Sequence, residues 1–203
     1  MKYLIVLIIT LSLALSFQSN SYAALCAFRN PDRDTYKLFP RATGYRSVIR
    51  TLDAKTKKAM EEFLGQPLDY DEAGEHTFYL VLKGEEVIGI IRPHAERGKY
   101  GIVEMVWAFS LDGEIIDFLI QRSRERGTDR LKHDEFRRQF RGKSLNDPFT
   151  IGGTKEINTN LIKPPEGVIT GPSVIAYSAK KNLFLYKYFF PEYHSISQGN
   201  SIK

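Results

Sequence analysis

Residues 102–120 read IVEMVWAFSLDGEIIDFLI. Two runs rich in β-branched and aromatic residues, Ile102 to Phe109 and Glu114 to Ile120, flank Asp112-Gly113. Asp-Gly between such runs is the strongest short-range hairpin signal, because it suits a two-residue turn whose central residues both take positive φ. In the second run Ile116, Phe118 and Ile120 recur with period two opposite Asp117, so one side of that strand is expected to be buried. Upstream, Thr77 to Leu82 and Val87 to Ile91 form another pair of strand-like runs, joined by Lys83-Gly84-Glu85-Glu86. Four strands, each beside the next, predict an antiparallel meander.

Helices surround this core. Asn30-Pro31 is a cap followed by proline at the first helical position, opening a short helix through Phe39 that Pro40 stops. Asp53 caps a second helix, Ala54 to Leu64, ended by Gly65. A third is expected from Asp129 or Leu131 to Arg141, with Phe136 and Phe140 on one face and Gly142 closing it. Residues 144–169, punctuated by Gly152-Gly153 and Pro164-Pro165, read as loops with a strand near Thr154 to Ile157. The last helix begins at Pro172 and runs to Phe190, with Ile175, Ala179, Leu183, Tyr186 and Phe190 at helical spacing. The predicted class is therefore α+β, an antiparallel meander of at least four strands packed against helices.

The N-terminus predicts export. Lys2 precedes about 14 mostly apolar residues, Leu4 to Phe17, long enough for a signal-peptide core and short of the roughly 20 that span a bilayer. Ser21-Tyr22-Ala23 supplies small residues where a signal peptidase reads, which sets cleavage after Ala23. Cys26 leaves open a lipid anchor, though Leu25 precedes it where that pattern wants a small residue, and an uncleaved tether is the third version. The membrane enters only as this N-terminal anchor. The expected divisions are 1–23 signal peptide, 24–75 N-terminal helical segment, 76–190 α+β domain and 191–203 loose tail, in a periplasmic or otherwise extracytoplasmic location. One cysteine forbids an internal disulfide.

The net charge of +5 in 203 residues is mildly basic, and 24 acidic residues are interspersed, which argues against nucleic-acid binding. His76, His94, His133 and His194 show no metal-ligand spacing, so no metal is expected. No nucleophile elbow, phosphate loop or dinucleotide fingerprint occurs, and a hydrolase is not suggested. The remaining candidate is the start of the last helix, Thr170-Gly171-Pro172-Ser173. Free N–H groups and the positive end of the helix dipole suit a phosphate there. Simple capping by Thr170 and Ser173 is the competing expectation.

The order of strand, Asp-Gly turn, strand, polar loop with a glutamate, the helix Asp134-Glu135-Phe136-Arg137-Arg138-Gln139-Phe140-Arg141-Gly142-Lys143, and a small-residue helix start resembles the FMN-binding domain. That family includes the exported flavin domain of the sodium-pumping quinone reductase, related membrane electron-transport complexes and the nitrous-oxide-reductase regulators. The resemblance covers roughly residues 76–186. In the family a Ser-Gly-Ala-Thr signature carries FMN through a phosphoester to the threonine. Thr170-Gly171-Pro172-Ser173 looks like that signature, with Pro172 for alanine and Ser173 for the threonine. Glu125 and Gly127 look like the glutamate and glycine of the family's loop.

The resemblance implies FMN as cofactor, with covalent attachment at Ser173 open. The phosphate would rest at Thr170, Gly171 and Ser173, with Glu125 and Gly127 beside it and Arg124, in a loop with Arg122 and Arg126, adding charge. Trp107 and Tyr177, with Phe109 and Phe118, are the nearest candidates for ring contacts. The implied function is electron transfer between membrane-associated redox proteins, without substrate turnover of its own. The alternative is a flavin-free exported binding or interaction module of the same fold.

Overall fold

The computed structural model describes residues 30–69 and 72–193. Helix α1, Pro31–Leu38, is followed by strand β1, Gly44–Leu52, and helix α2, Ala54–Leu64. Strands β2, Gly74–Lys83, β3, Glu86–Arg97, β4, Ile102–Phe109, and β5, Ile115–Arg122, come next. Two short helices, α3, Thr128–Lys132, and α4, Asp134–Arg137, precede the long helix α5, Gly171–Phe189. The sheet order is β1-β2-β3-β4-β5, every neighbouring pair antiparallel. The predicted signal peptide, Cys26 and most of the predicted loose tail lie outside the described residues. Among the described residues, no helix is long and apolar enough to cross a membrane.

Local signals set the helix ends. Asn30 accepts the Arg33 N–H at 3.1 Å and Asp53 accepts the Thr56 N–H at 2.7 Å, each satisfying a first-turn donor. Gly65, at φ 69°, ends α2 in the left-handed conformation that glycine adopts without steric cost.

The two cores lie on opposite faces of the sheet. One face packs Phe78, Ile90, Met105, Trp107, Phe109 and Phe118 against α5 and α2. The other packs Val81, Ile91, Val106 and Ala108 against Leu38 and Phe39. Gly89 in β3 permits that second contact, since a Cβ there would lie 2.3 Å from the Phe39 ring and 2.8 Å from the Phe109 carbonyl.

Four details depart from the sequence reading. Strand β1 adds a fifth strand within the segment expected to be helical, pairing from Gly44↔Leu82 to Leu52↔Gly74. As an edge strand it is half-solvated, with Ile49 58% exposed, so it lacks the clean alternation that marks strands in sequence. The Asp112-Gly113 turn is longer than two residues: the Gly113 N–H donates to the Ser110 carbonyl, and Gly113, at φ 81°, is left-handed while Asp112 is not. This is the three-residue hairpin loop with a glycine bulge. The single helix expected from about 129 to 141 is broken at His133, whose ψ of 147° is extended, and its last turn, Arg138–Phe140, is a 3-10 helix. The break keeps Phe136 and Phe140 together, 5.4 Å apart and near-perpendicular, above Phe118. Near Thr154 to Ile157 the structure has one isolated bridge, Thr150↔Ile157.

Candidate functional site

The start of α5 is assembled from three segments. Thr170 precedes the helix with near-helical angles (φ −98°, ψ −40°) and makes no cap bond. Its hydroxyl donates instead to Oε2 of Glu125. Glu125 is 4% exposed, and its Oε1 accepts the Tyr100 backbone N–H at 2.9 Å, so both carboxylate oxygens are engaged. Gly171 lies so close to this loop that a Cβ would fall 2.5 Å from Leu131 Cδ1 and 3.4 Å from Glu125 Cβ. Gly127, at φ 76°, sits against Val168, with only 2.6 Å left for a Cβ. Thus Glu125, Gly127, Thr170 and Gly171, far apart in sequence, form one packed corner.

Ser173 does not cap the helix either. Its half-buried Oγ accepts the Ile157 N–H at 3.2 Å, which leaves the hydroxyl proton free to donate. The N–H groups of Gly171 and Ser173 lie in the first turn, where no intrahelical acceptor exists, and Pro172 has none. The Val174 N–H reaches back to the Thr170 carbonyl at 3.4 Å. Two amides and a hydroxyl at the positive end of a 19-residue helix form a donor set that fits a phosphate.

The other predicted residues lie elsewhere. Arg124 is exposed, with its stem nearest Gly101. Arg122 pairs with Glu104 at 2.8 Å, and Arg126 stands over the Tyr100 ring at 5.2 Å. Arg122 and Arg126 are thus engaged with β4 and with the turn between β3 and β4. Trp107 is fully buried, 4.7 Å from Phe118, and its Nε1 donates to Ser178 Oγ at 2.9 Å. Phe109 and Phe118 are likewise fully buried. Tyr177 is 1% exposed, its ring flanked by the ammonium groups of Lys155 at 4.8 Å and Lys181 at 4.7 Å. Burial, helped by the nearby Glu96 and Glu72, pushes the Tyr177 hydroxyl well above the usual phenol range. As folded, these four aromatics are core residues that present no surface to a ligand.

A second polar cluster escaped the sequence reading. Arg92, His94 and Glu96 alternate on one face of β3 and are all buried. Arg92 donates to Asn182 Oδ1, to His94 Nδ1 at 3.1 Å and to His76 Nδ1 at 2.8 Å. These bonds make Nδ1 the acceptor in each imidazole and place the proton on Nε2, which in His94 faces Glu96 at 3.3 Å. Burial first and the Arg92 charge second lower both histidines, His76 to about 3, so both rings are neutral. Lys181 then bridges Glu72 at 2.5 Å and Glu96 at 2.8 Å. Glu72, His94 and Glu96 offer ligand atoms within 4.8 Å of one another, but the Lys181 ammonium already stands between the two carboxylates as their counter-ion. The signal in sequence was the period-two Arg92-x-His94-x-Glu96 in an otherwise apolar strand.

The arrangement as a whole is the fold of NqrC from Shewanella oneidensis. That crystal structure superposes with a TM-score of 0.55 over 82% of this chain and 89% of NqrC. The identity is 13%, so this likeness is one of fold alone. In sequence, the chain is 31% identical over 104 residues to a component of the proton-translocating ferredoxin:NAD(+) oxidoreductase complex of Clostridium ljungdahlii. The match covers 50% of this chain and 55% of that component, so the chain spans about half the length of its curated relative. No family model matches the chain.

Proposed function

We propose that this protein is an FMN-binding electron-transfer subunit that works outside the cytoplasm beside membrane-associated redox proteins. The observation that carries the reading is the donor set at the start of α5, two amides without an intrahelical acceptor and the Ser173 hydroxyl, backed by the loop that Glu125 ties to Thr170. The sequence likeness to a component of a ferredoxin:NAD(+) oxidoreductase complex and the fold likeness to NqrC both support it.

In this reading the amides of Gly171 and Ser173 and the Ser173 hydroxyl hold the phosphate. Ser173 also carries the oxygen to which a phosphoester would attach. Glu125 acts indirectly: with both oxygens hydrogen-bonded, it locks the Glu125–Gly127 loop against the helix start. A bound flavin supplies one- and two-electron chemistry, and the protein supplies its position and potential.

A second reading, a flavin-free module of the same fold, is favoured by one observation. The Thr170 hydroxyl is already turned to Glu125 and Ser173 Oγ already accepts the Ile157 N–H, so the corner is internally bonded.

The full chain, produced in an exporting host together with a flavin transferase, separates the two. Wild-type protein is expected to show a flavin absorption spectrum and a mass increment of one FMN, and Ser173→Ala to lose the increment while staying folded. Protein that carries no flavin and takes up no added FMN refutes the electron-transfer reading.

A further inference from the structure

The turn from β3 to β4, residues 97–101, and the loop after β5, residues 122–126, meet in one cationic tip. Arg97, Lys99, Arg122, Arg124 and Arg126 are all exposed there, and the one carboxylate, Glu125, is buried. Five cations less one anion means that these two segments carry four of the chain's five net positive charges. The carboxylates beneath them do not reach the surface. Glu104 is 3% exposed and pairs with Arg122, and Glu125 has both oxygens bonded. Arg97 pairs with the more open Asp69 at 3.1 Å. Among the described residues, Lys99, Arg124 and Arg126 have no acidic partner. Like charges crowded in this way repel one another, and an anionic partner relieves that repulsion.

The tip is held in place by its own contacts. The Gly98 N–H donates to the Gly101 carbonyl at 2.8 Å, and a Cβ on Gly98 would lie 2.4 Å from Glu125 Oε1, so the two segments touch. Lys99 and Arg126 stand over the Tyr100 ring at 5.6 and 5.2 Å, while Glu125 fixes the Tyr100 N–H. Charges positioned in advance lose less entropy on docking than loose ones. Ile169 borders the tip, since Val168 packs on Gly127 and Thr170 bonds Glu125, and Ile169 itself is 86% exposed. An uncovered aliphatic beside clustered arginines matches a protein-binding patch, an apolar anchor within a polar rim. Membrane docking scales with the apolar area inserted, and a single isoleucine supplies little. Four of the five cations are arginine, whose planar fork makes paired bonds to carboxylates.

We propose that this tip docks the acidic face of a protein electron carrier, with Ile169 as the apolar anchor at its edge. The partner assignment rests on the flavin reading above. Glu125 joins the tip to Thr170, which precedes Ser173 by less than one helical turn, so a carrier seated here stands beside the phosphate donors. The cations steer an acidic carrier to that corner in preference to the rest of the surface. Steering of this kind raises association rates by about 10–10³ and weakens as salt shortens the screening length.

The test uses the full chain and two double variants of equal net charge. Lys99→Glu with Arg124→Glu reverses charge at the tip. Arg41→Glu with Lys83→Glu reverses two exposed cations at the far end of the sheet, where Lys83 pairs with Glu86, roughly 35 Å away along β3. One binding probe is a helical peptide with a glutamate face and a leucine stripe, and the other, polyglutamate, reads charge alone. At low salt the tip variant is expected to bind both probes roughly tenfold more weakly, and the far-end variant to match wild type. Ile169→Ser is expected to weaken the peptide and leave polyglutamate unchanged. With FMN bound, the tip variant should slow oxidation of the reduced flavin by anionic ferricyanide about tenfold and quicken oxidation by cationic hexaammineruthenium(III), each metal complex taking one electron.

Equal losses in the two charge-reversed variants would show a response to net charge alone and overturn the tip assignment. Phosphatidylglycerol vesicles bound by wild type more tightly than the peptide, and released by the tip variant, would overturn the protein partner in favour of an anionic membrane. If wild type carries FMN and the tip variant changes neither binding nor mediator rates, docking at the tip is refuted and the flavin reading stands. If wild type takes up no FMN, the flavin reading and the electron-carrier assignment fail together. Unfolding midpoints equal to that of wild type exclude misfolding as the cause.

Discussion

Replacing Lys181 by Met tests whether a buried charge cluster pins the last helix to the sheet. The Lys181 side chain is 2% exposed, with its ammonium 2.5 Å from Glu72 and 2.8 Å from Glu96. Methionine keeps most of the stem volume and deletes the charge. Glu96, equally buried, then keeps only the neutral His94 at 3.3 Å as its neighbour in the network, a hydrogen bond in place of an ion pair. Removing one partner of a buried pair costs about 3–5 kcal/mol, because the remaining charge is stranded in a low-dielectric site. Glu72, with 15% of its side chain exposed, can recover water, which puts the expected loss near the lower end, about 3 kcal/mol. For a domain of this size that is a fall in Tm on the order of 10 °C. Thermal unfolding followed by circular dichroism at pH 7.5 reads it directly. Adding Glu96→Gln to the variant should restore more than half of the loss, since the stranded charge is gone. A single variant within about 0.5 kcal/mol of wild type, or a double variant no better than the single, would show that the cluster is solvated and does not hold the helix.

Acid should unfold the protein earlier than its carboxylates alone would. His76 is lowered to about 3 and His94 well below 6.5, so the native state leaves both neutral while the unfolded chain binds protons below about 6.5. Their contribution is present above that pH and is lost on acidification, at about 1.4 kcal/mol per pH unit per histidine. Urea midpoints from pH 7.5 to 4.5 give the slope, and His76→Phe should flatten it. Gly127→Ala combines a left-handed backbone with a 2.6 Å contact to Val168 and is expected to cost about 2 kcal/mol or more and to loosen the Glu125 loop, seen as faster amide exchange at Tyr100. Ser178→Ala strands the Trp107 indole N–H in the core, for a loss of about 1–3 kcal/mol with a shifted tryptophan emission. Gly89→Ala drives a methyl group into the Phe39 ring, and a soluble variant with unchanged α1 docking would contradict the second core as described.

The strands and helix ends were written locally. Alternating apolar residues, Asn30-Pro31, Asp53 and Gly65 act through neighbours a few residues away, and the meander followed from them. Chain order also placed Thr170-Gly171-Pro172-Ser173 at a helix start, because proline at the first turn and a following helical repeat are short-range signals. Other features depended on distant partners. Strand β1 is a strand because β2 offers it an edge, and its half-solvated side chains carry no strong periodicity. Whether an aromatic on a strand faces a ligand or the core is decided by what covers it, so Trp107 and Tyr177 could not be sorted before α5 was in place. Thr170 and Ser173 looked like caps, yet the Thr170 hydroxyl donates to Glu125, 45 residues away, and the Ser173 hydroxyl accepts from Ile157, 16 residues away. The Arg92–Lys181 cluster is the extreme case, since burial of charge is stable only when partners from β3, α5 and the segment before β2 arrive together. Sequence by itself set the period of each element and the chemistry at its ends. Tertiary packing alone decided which polar groups lost water, and with that which of them remain free to hold a ligand.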